Sequence, residues 1–185
     1  LARSAGVPMH VDAVQALGHV PVSARVLGLG AAGVATIGLS AHKVGGPVGV
    51  GVLLVARDAP IAPIVHGGGQ QRGLRSGTQD VLGAHLASVA IAEAVEELAS
   101  ESERLAGLRD RVLGAGAAIE GVVATAVGAP RAAHIAHLSV ADADAETIVF
   151  ALDRLGFAVS NGSACTAGVQ EPSHVLAAMG LGHLA

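Results

Sequence analysis

A lysine amine is chemically useful where it can condense with a carbonyl to form a Schiff base. The stretch SAHKVGGPVGVG, Ser40 to Gly51, offers one. Lys43 stands between an apolar run and a glycine-rich loop, with Ser40 and His42 just ahead of it. A phosphate beside such a lysine wants hydroxyl, imidazole and backbone N–H donors, and glycines that let the backbone come close. Ser40 and His42 supply the first two. Upstream, HVDAVQ carries Asp12 and Gln15 at what reads as a strand end. A carboxylate against a pyridine nitrogen keeps that nitrogen protonated and makes the ring an electron sink. Asp12, Gln15, Ser40, His42 and Lys43 together fit a pyridoxal 5'-phosphate site. Taken singly, each is equally well explained as part of a solvated loop.

The second reactive type is a thiol. Cys165 is the single cysteine of 185 residues, in the stretch SNGSACTAG, so no intramolecular disulfide exists. That usage suits a reducing compartment, and a cytoplasmic setting is expected. Small residues on both sides leave the sulfur reachable, which suits a nucleophile better than a buried structural cysteine. A free thiol on an idle loop is the plain alternative.

Other features carry less. Nine histidines invite a metal reading, but a zinc site wants several ligands converging. His134 and His137 are three apart on an expected strand and so point to opposite faces; no metal site is expected. Gly67 to Gly69 lack the frame and spacing of a dinucleotide-binding loop. Arg72 and Arg75 suit a phosphate or an acidic acceptor, and a solvated loop equally well. The acidic residues from Glu93 to Glu103 read as the wet face of a helix. A net charge of −4 argues against a binder of nucleic-acid backbone. There is no Trp or Tyr and only two Phe, so base-stacking platforms are absent too. No apolar run is long enough to read as a membrane span, and no signal peptide is legible.

The elements that must position these groups are legible from pattern. VPMHVDAVQ, Val7 to Gln15, reads as a short strand running into a polar turn. Gly33 to Ala56 reads as strand, loop, strand. Its second strand, Val48 to Val55, is apolar on consecutive positions, as expected of a strand covered on both faces. His66 to Thr78 is a glycine-rich basic loop. From Thr78 to about Ala115 the pattern is helical, with Ile91, Leu98, Leu105 and Val112 recurring and Val95 between the first two. One long helix or two with a break near Gly107 both fit. A coiled coil does not, since only one side of the heptad stays apolar. His134 to Val140 reads as extended. Asp142 and Asp144 suit a helix start, Ile148, Val149, Leu152 and Leu155 form its stripe, and Gly156 stops it. FAVSNGSAC reads as a further strand ending in a loop, and EPSHVLAAMG as a short helix capped by Ser173. A domain boundary is expected near residue 98.

HVDAVQALGHVPV, SAHKVGGPVGVG, GGGQQRGLRSGT and SNGSACTAG with EPSHVLAAMG follow one another in the order seen in cysteine desulfurases. The chain resembles these class V aminotransferase-type enzymes over nearly its whole length. The resemblance implies an α/β fold, that of a fold type I pyridoxal-phosphate-dependent transferase. Residues 1–97 would form the later part of the large cofactor-binding domain. Residues 98–185 would form a small α+β C-terminal domain carrying the catalytic cysteine loop. It implies that Lys43 carries the cofactor, that Asp12 pairs with the pyridinium nitrogen, and that Gln15 reaches the ring hydroxyl oxygen. Ser40 and His42 would hold the phosphate, and Thr78 of RSGT would reach the phosphate of a neighbouring subunit, so a homodimer is expected. Cys165 would take the sulfur of L-cysteine, leaving L-alanine and a protein persulfide. The persulfide would serve iron–sulfur cluster assembly or tRNA thiolation, through a scaffold or another sulfur-acceptor protein. A selenocysteine lyase, another class V enzyme and a non-catalytic remnant are the alternatives. The chain departs from the family in having Asn161-Gly162 where Ser-Gly is usual. The family's ring-stacking histidine, ring-edge asparagine and phosphate-binding turn lie upstream of its motifs, and the arginine for the substrate carboxylate lies downstream. The chain is therefore read as a C-terminal fragment, inactive when isolated.

Overall fold

The computed structural model describes residues 1–30, 33–162 and 173–182. They divide into two compact units, each with its own small sheet. The first comprises Leu1–Leu105 with Ala132–His134, and the second Ala106–Arg131 with Ile135–Ala185. The expected boundary at residue 98 opens a helix, and the division falls further along that same helix.

The first unit is built on strands β1 (Met9–Asp12), β2 (Val34–Ser40) and β3 (Gly51–Val55), in that spatial order. β1 and β2 run parallel; β3 lies antiparallel to β2. The register shifts between Met9 and His10, and beyond that irregularity alternation along the strands sorts the two faces. Ala13, Val34 and Ile37 form the buried centre, with Val11, Leu39 and Leu54 packed on it. His10, Asp12, Thr36, Gly38, Ser40 and Leu53 take the other face. Leu53 there is 50% exposed. The expectation of a strand covered on both faces is thus corrected: within this chain β3 is covered on one. β3 also begins at Gly51 rather than Val48, because Gly49 turns the backbone into the left-handed region (φ 84°).

Two helices follow, α1 (Val81–Glu96) and α2 (Leu98–Ala117). Asp80 caps α1 by accepting from the Gly83 N–H at 2.8 Å. The break is at Glu97 and not near Gly107, which sits inside α2. A single exposed glycine costs a helix only about 1 kcal/mol, too little to end one of this length. The apolar stripe also drifts: Ile91, Leu98 and Leu105 are half-buried, but in the last turns the buried apolar side chain is Leu113 rather than Val112. A straight helix turns 3.6 residues at a time and walks away from a strict heptad.

In the second unit β4 (Val122–Ala124) and β5 (Leu138–Val140) pair antiparallel. Gly116 of α2 lets Leu138 lie against the helix: a Cβ there would meet the leucine Cδ1 at 2.5 Å. Thr125 and Ser139 are buried, and Thr125 Oγ1 bonds Ser139 Oγ at 3.3 Å and His137 Nδ1 at 2.9 Å. Helix α3 (Ala145–Arg154) starts on Asp144, whose carboxylate accepts from the Thr147 N–H at 2.8 Å. It ends in a left-handed Gly156, with the N–H of Phe157 on Leu152 O at 3.0 Å and that of Gly156 on Asp153 O at 2.9 Å. Helix α4 (His174–Ala178) is capped by Ser173. Two expectations fail here. Only Leu138–Val140 of the expected strand from His134 pairs, and FAVS after α3 is not a strand. A strand exists by exchanging N–H and C=O bonds with a neighbour, and FAVS has no ladder partner among the described residues.

Candidate active site

β1 and β2 are parallel, so Asp12 and Ser40, the last residue of each, finish at the same edge of the sheet. The register pairs Asp12 with Gly38, two residues before Ser40. In open α/β sheets ligands bind at such carboxyl ends. Asp12 turns the chain sharply: its Oδ1 accepts from the Val14 N–H at 2.9 Å, and the Ala13 N–H bonds Gly38 O at 2.9 Å. Gln15 follows on this turn, exposed.

After Ser40 the chain makes a tight 3₁₀ turn, Ala41–Val44, over the fully buried Ala41. Its geometry explains the glycine pair. Gly45 is left-handed (φ 81°) and Gly46 donates to Ala41 O at 2.9 Å. A Cβ on Gly46 would lie 2.9 Å from the Ala41 Cβ and 3.0 Å from its carbonyl oxygen, so no larger residue fits. Burying Ala41 turns His42 and Lys43 outward, and both are exposed. Ser40 Oγ and His42 Nδ1 are 2.6 Å apart, which leaves His42 Nε2 available. Among the described residues the Lys43 amine has neither hydrogen bond nor ion pair. Helix α1 backs this turn: a Cβ on Gly18 would touch Val44 Cγ1 at 3.0 Å and Ala94 Cβ at 3.4 Å.

The GGGQQRGLRSGT loop is held by its own side chains. Ser76 is buried and its Oγ accepts from the Gly69 N–H at 3.3 Å. Gln70 Oε1 accepts from the Gly77 N–H at 3.2 Å, and Gln71 Nε2 donates to Gln79 Oε1 at 2.9 Å. Thr78 is exposed, and no hydrogen bond links it to Lys43 or Ser40. Its neighbourhood is fixed through the start of α1, where Val50 packs close to Gly83, while Val50 O accepts from the Ala41 N–H at 3.0 Å.

The structure thus gathers Asp12, Gln15, Ser40, His42 and Lys43 around the ends of two adjacent strands, with Thr78 on a separate loop. Cys165 lies outside the described residues. Sequence pattern missed His10, whose Nδ1 bonds Thr36 Oγ1 at 2.7 Å on the same face as Asp12. It also missed the stacked pair His19 and His134, ring centroids 3.7 Å apart. The period-two spacing of His10 and Asp12 on a strand was the available signal for the first. Nothing local marks the second, since its members are far apart in sequence.

The aminotransferase class-V family model matches residues 1–183. An IscS-like cysteine desulfurase of Mycobacterium tuberculosis is 45% identical over 183 residues, covering 98% of this chain and 45% of the relative. A cysteine desulfurase NifS of Azotobacter vinelandii is 35% identical over 186 residues, covering 100% of this chain and 45% of the relative. Among solved structures, a NifS-like protein matches with a TM-score of 0.77 at 35% identity, covering 95% of this chain and 43% of its own. A NifS-like protein of Rickettsia africae matches with a TM-score of 0.82 at 24% identity, covering 99% and 47%, a likeness of fold. The chain spans less than half the length of the relatives it matches. With two of its motifs at one sheet edge, the fold of part of a fold type I enzyme and a family match over nearly every residue, the chain belongs to the class-V aminotransferase family.

Proposed function

We propose that this chain is the C-terminal part of a pyridoxal-phosphate-dependent cysteine desulfurase that converts L-cysteine to L-alanine and passes the sulfur on as a protein persulfide. The observation that carries it is the Ser40–His42 pair just ahead of Lys43, whose amine has no partner among the described residues, at the strand edge where Asp12 ends. Relatives 35 to 45% identical to this chain are named cysteine desulfurases.

The donor set fits the cofactor. Lys43 offers an amine free to bond its aldehyde, Ser40 and His42 offer a hydroxyl and an imidazole for a phosphate, and Asp12 offers a carboxylate for a ring nitrogen. Gln15 stands on the same turn for the ring oxygen. When bound, pyridoxal phosphate supplies an electron sink. The protein's own residues do the rest. Asp12 keeps positive charge on the ring nitrogen. Lys43 would hold or move a proton at its Nζ, beside the reacting carbon of the substrate. Cys165 is the nucleophile that takes the sulfur, and a scaffold or other acceptor protein of iron–sulfur assembly or tRNA thiolation receives it. Thr78 contributes to a neighbouring subunit's phosphate site, which makes the unit a homodimer, working in the cytoplasm.

The test uses the full-length protein that carries this chain. Incubated with pyridoxal phosphate and L-cysteine, it is expected to release alanine, with sulfide when a thiol reductant is present. Borohydride reduction before peptide mapping should place the pyridoxyl label on Lys43. A label on another lysine, or alanine production that survives Lys43→Ala, would overturn the assignment.

A further inference from the structure

His10 is a titratable side chain that the site above does not use. β1 turns it to the same face as Asp12, away from the packed face that holds Val11. Its ring is fixed at two points. Nδ1 bonds Thr36 Oγ1 at 2.7 Å, on the strand residue that the register sets opposite it. The far edge of the ring lies over Gly38: a Cβ there would stand 3.3 Å from His10 Cε1 and 3.4 Å from Nε2. Gly38 is the register partner of Asp12. The imidazole therefore reaches along β2 from the level of Thr36 to the level of Asp12, and the missing side chain at Gly38 makes the room. When the Thr36 hydroxyl donates to Nδ1, the ring proton sits on Nε2, the atom at the Asp12 end.

We propose that His10 is a positioning residue for Asp12: anchored by Thr36 and laid across Gly38, it presents Nε2 beside the carboxylate and fixes its orientation toward the ring nitrogen. Asp12 has one oxygen occupied by the Val14 N–H, so a partner for the second oxygen removes its remaining freedom. The inference rests on the reading of Asp12 as the partner of the cofactor's pyridine nitrogen.

The experiment uses the full-length protein with and without pyridoxal phosphate. His10→Ala should lower kcat about tenfold to a hundredfold, as loss of the partner behind a ligating group does, with the KM for cysteine little changed. The visible band of the bound cofactor should shift, since it reports the ring nitrogen's environment. Two conservative variants separate positioning from packing. His10→Gln keeps a polar atom near Nε2 and should restore kcat and the band; His10→Asn keeps one near Nδ1 and should not. Gly38→Ala pushes the ring aside and should copy His10→Ala. Without cofactor, the melting-temperature loss of Gly38→Ala should shrink in a His10→Ala background, because the clash is then gone. Rescue by Asn as good as by Gln, or His10→Ala changing the melting temperature alone, would overturn the proposal. In both cases a wild-type protein that binds the cofactor and forms alanine leaves the desulfurase reading standing. A wild type that fails to bind it overturns both.

Discussion

The amine of Lys43 and the thiol of Cys165 divide the proposed chemistry, and variants should separate them. Cys165→Ser leaves Asp12, Ser40, His42 and Lys43 untouched. It is expected to keep the cofactor, seen in its visible absorbance, and to release no sulfide on addition of cysteine and reductant. Sulfide release near the wild-type rate would remove the nucleophile role. A different residue-scale prediction concerns His134. Burial, and then the charge of His19 stacked on it, hold its imidazole below the ordinary value of 6.5. Both Nδ1 atoms are buried with no hydrogen-bond partner among the described residues. The folded state favours neutral His134, so this contribution to stability is full above pH 6.5 and is lost as pH falls toward the lowered value. Glu101 and Asp144 are also lowered, by the Arg104 guanidinium and by Thr147, but they titrate below 4.5 and 3.8. A melting curve across about pH 5 to 8 therefore lies above the range of these two carboxylates, and His134→Gln should lessen its slope. An unchanged slope in that variant would show that the stack does not couple to folding.

At the scale of elements, the 3₁₀ turn is what aims the site. Gly46→Ala forces a methyl against the buried Ala41, at 2.9 Å from its Cβ and 3.0 Å from its oxygen. Overpacking of this kind costs about 1–3 kcal/mol. The expected result is a lower melting temperature together with weaker cofactor retention, because the turn that yields carries His42 and Lys43. Lost retention without lost stability would mean the turn moves freely. This turn also shows what a sequence can disclose. Strand ends, glycine pairs and caps are written locally, so Asp12, Ser40, Lys43, Asp144 and Gly156 fell where their types required. Contacts that depend on strand register are not written locally. The reach of His10 over Gly38 needs the pairing of Asp12 with Gly38, and the Thr125–Ser139–His137 hydrogen bonds need β4 beside β5. FAVS shows the converse error: its apolar alternation satisfies the pattern, yet no described strand lies beside it to accept its hydrogen bonds.

At the scale of the whole molecule, the described surface of the first unit is unfinished as a sheet. Among the described residues β1 and β3 each pair only with β2, so each presents a row of unpaired N–H and C=O groups. Val48 is 88% exposed and Val81 75%. An apolar groove lined by Val50, Val52, Ala87, Ile91 and Val95 runs between the start of β3 and α1. Burial of apolar surface drives folding at roughly 25 cal/mol per Å², and surfaces of this kind left open favour association of one copy with another. The relatives of this family that it matches are more than twice as long, this chain covering 45% of each. Placing reacting groups about 1 Å wrongly can cost about a hundredfold in rate, and the substrate's other contacts are expected from the remainder of such an enzyme. Residues 1–185 expressed by themselves are therefore expected to self-associate on size-exclusion chromatography, to hold pyridoxal phosphate weakly, and to form no alanine from cysteine. The second unit, from about Ala106 onward, has its own local β4–β5 pair and should resist proteolysis longer than the first. A monomeric 185-residue chain making alanine at the rate of a full-length desulfurase would show that Asp12, Ser40, His42, Lys43 and Cys165 suffice for the chemistry.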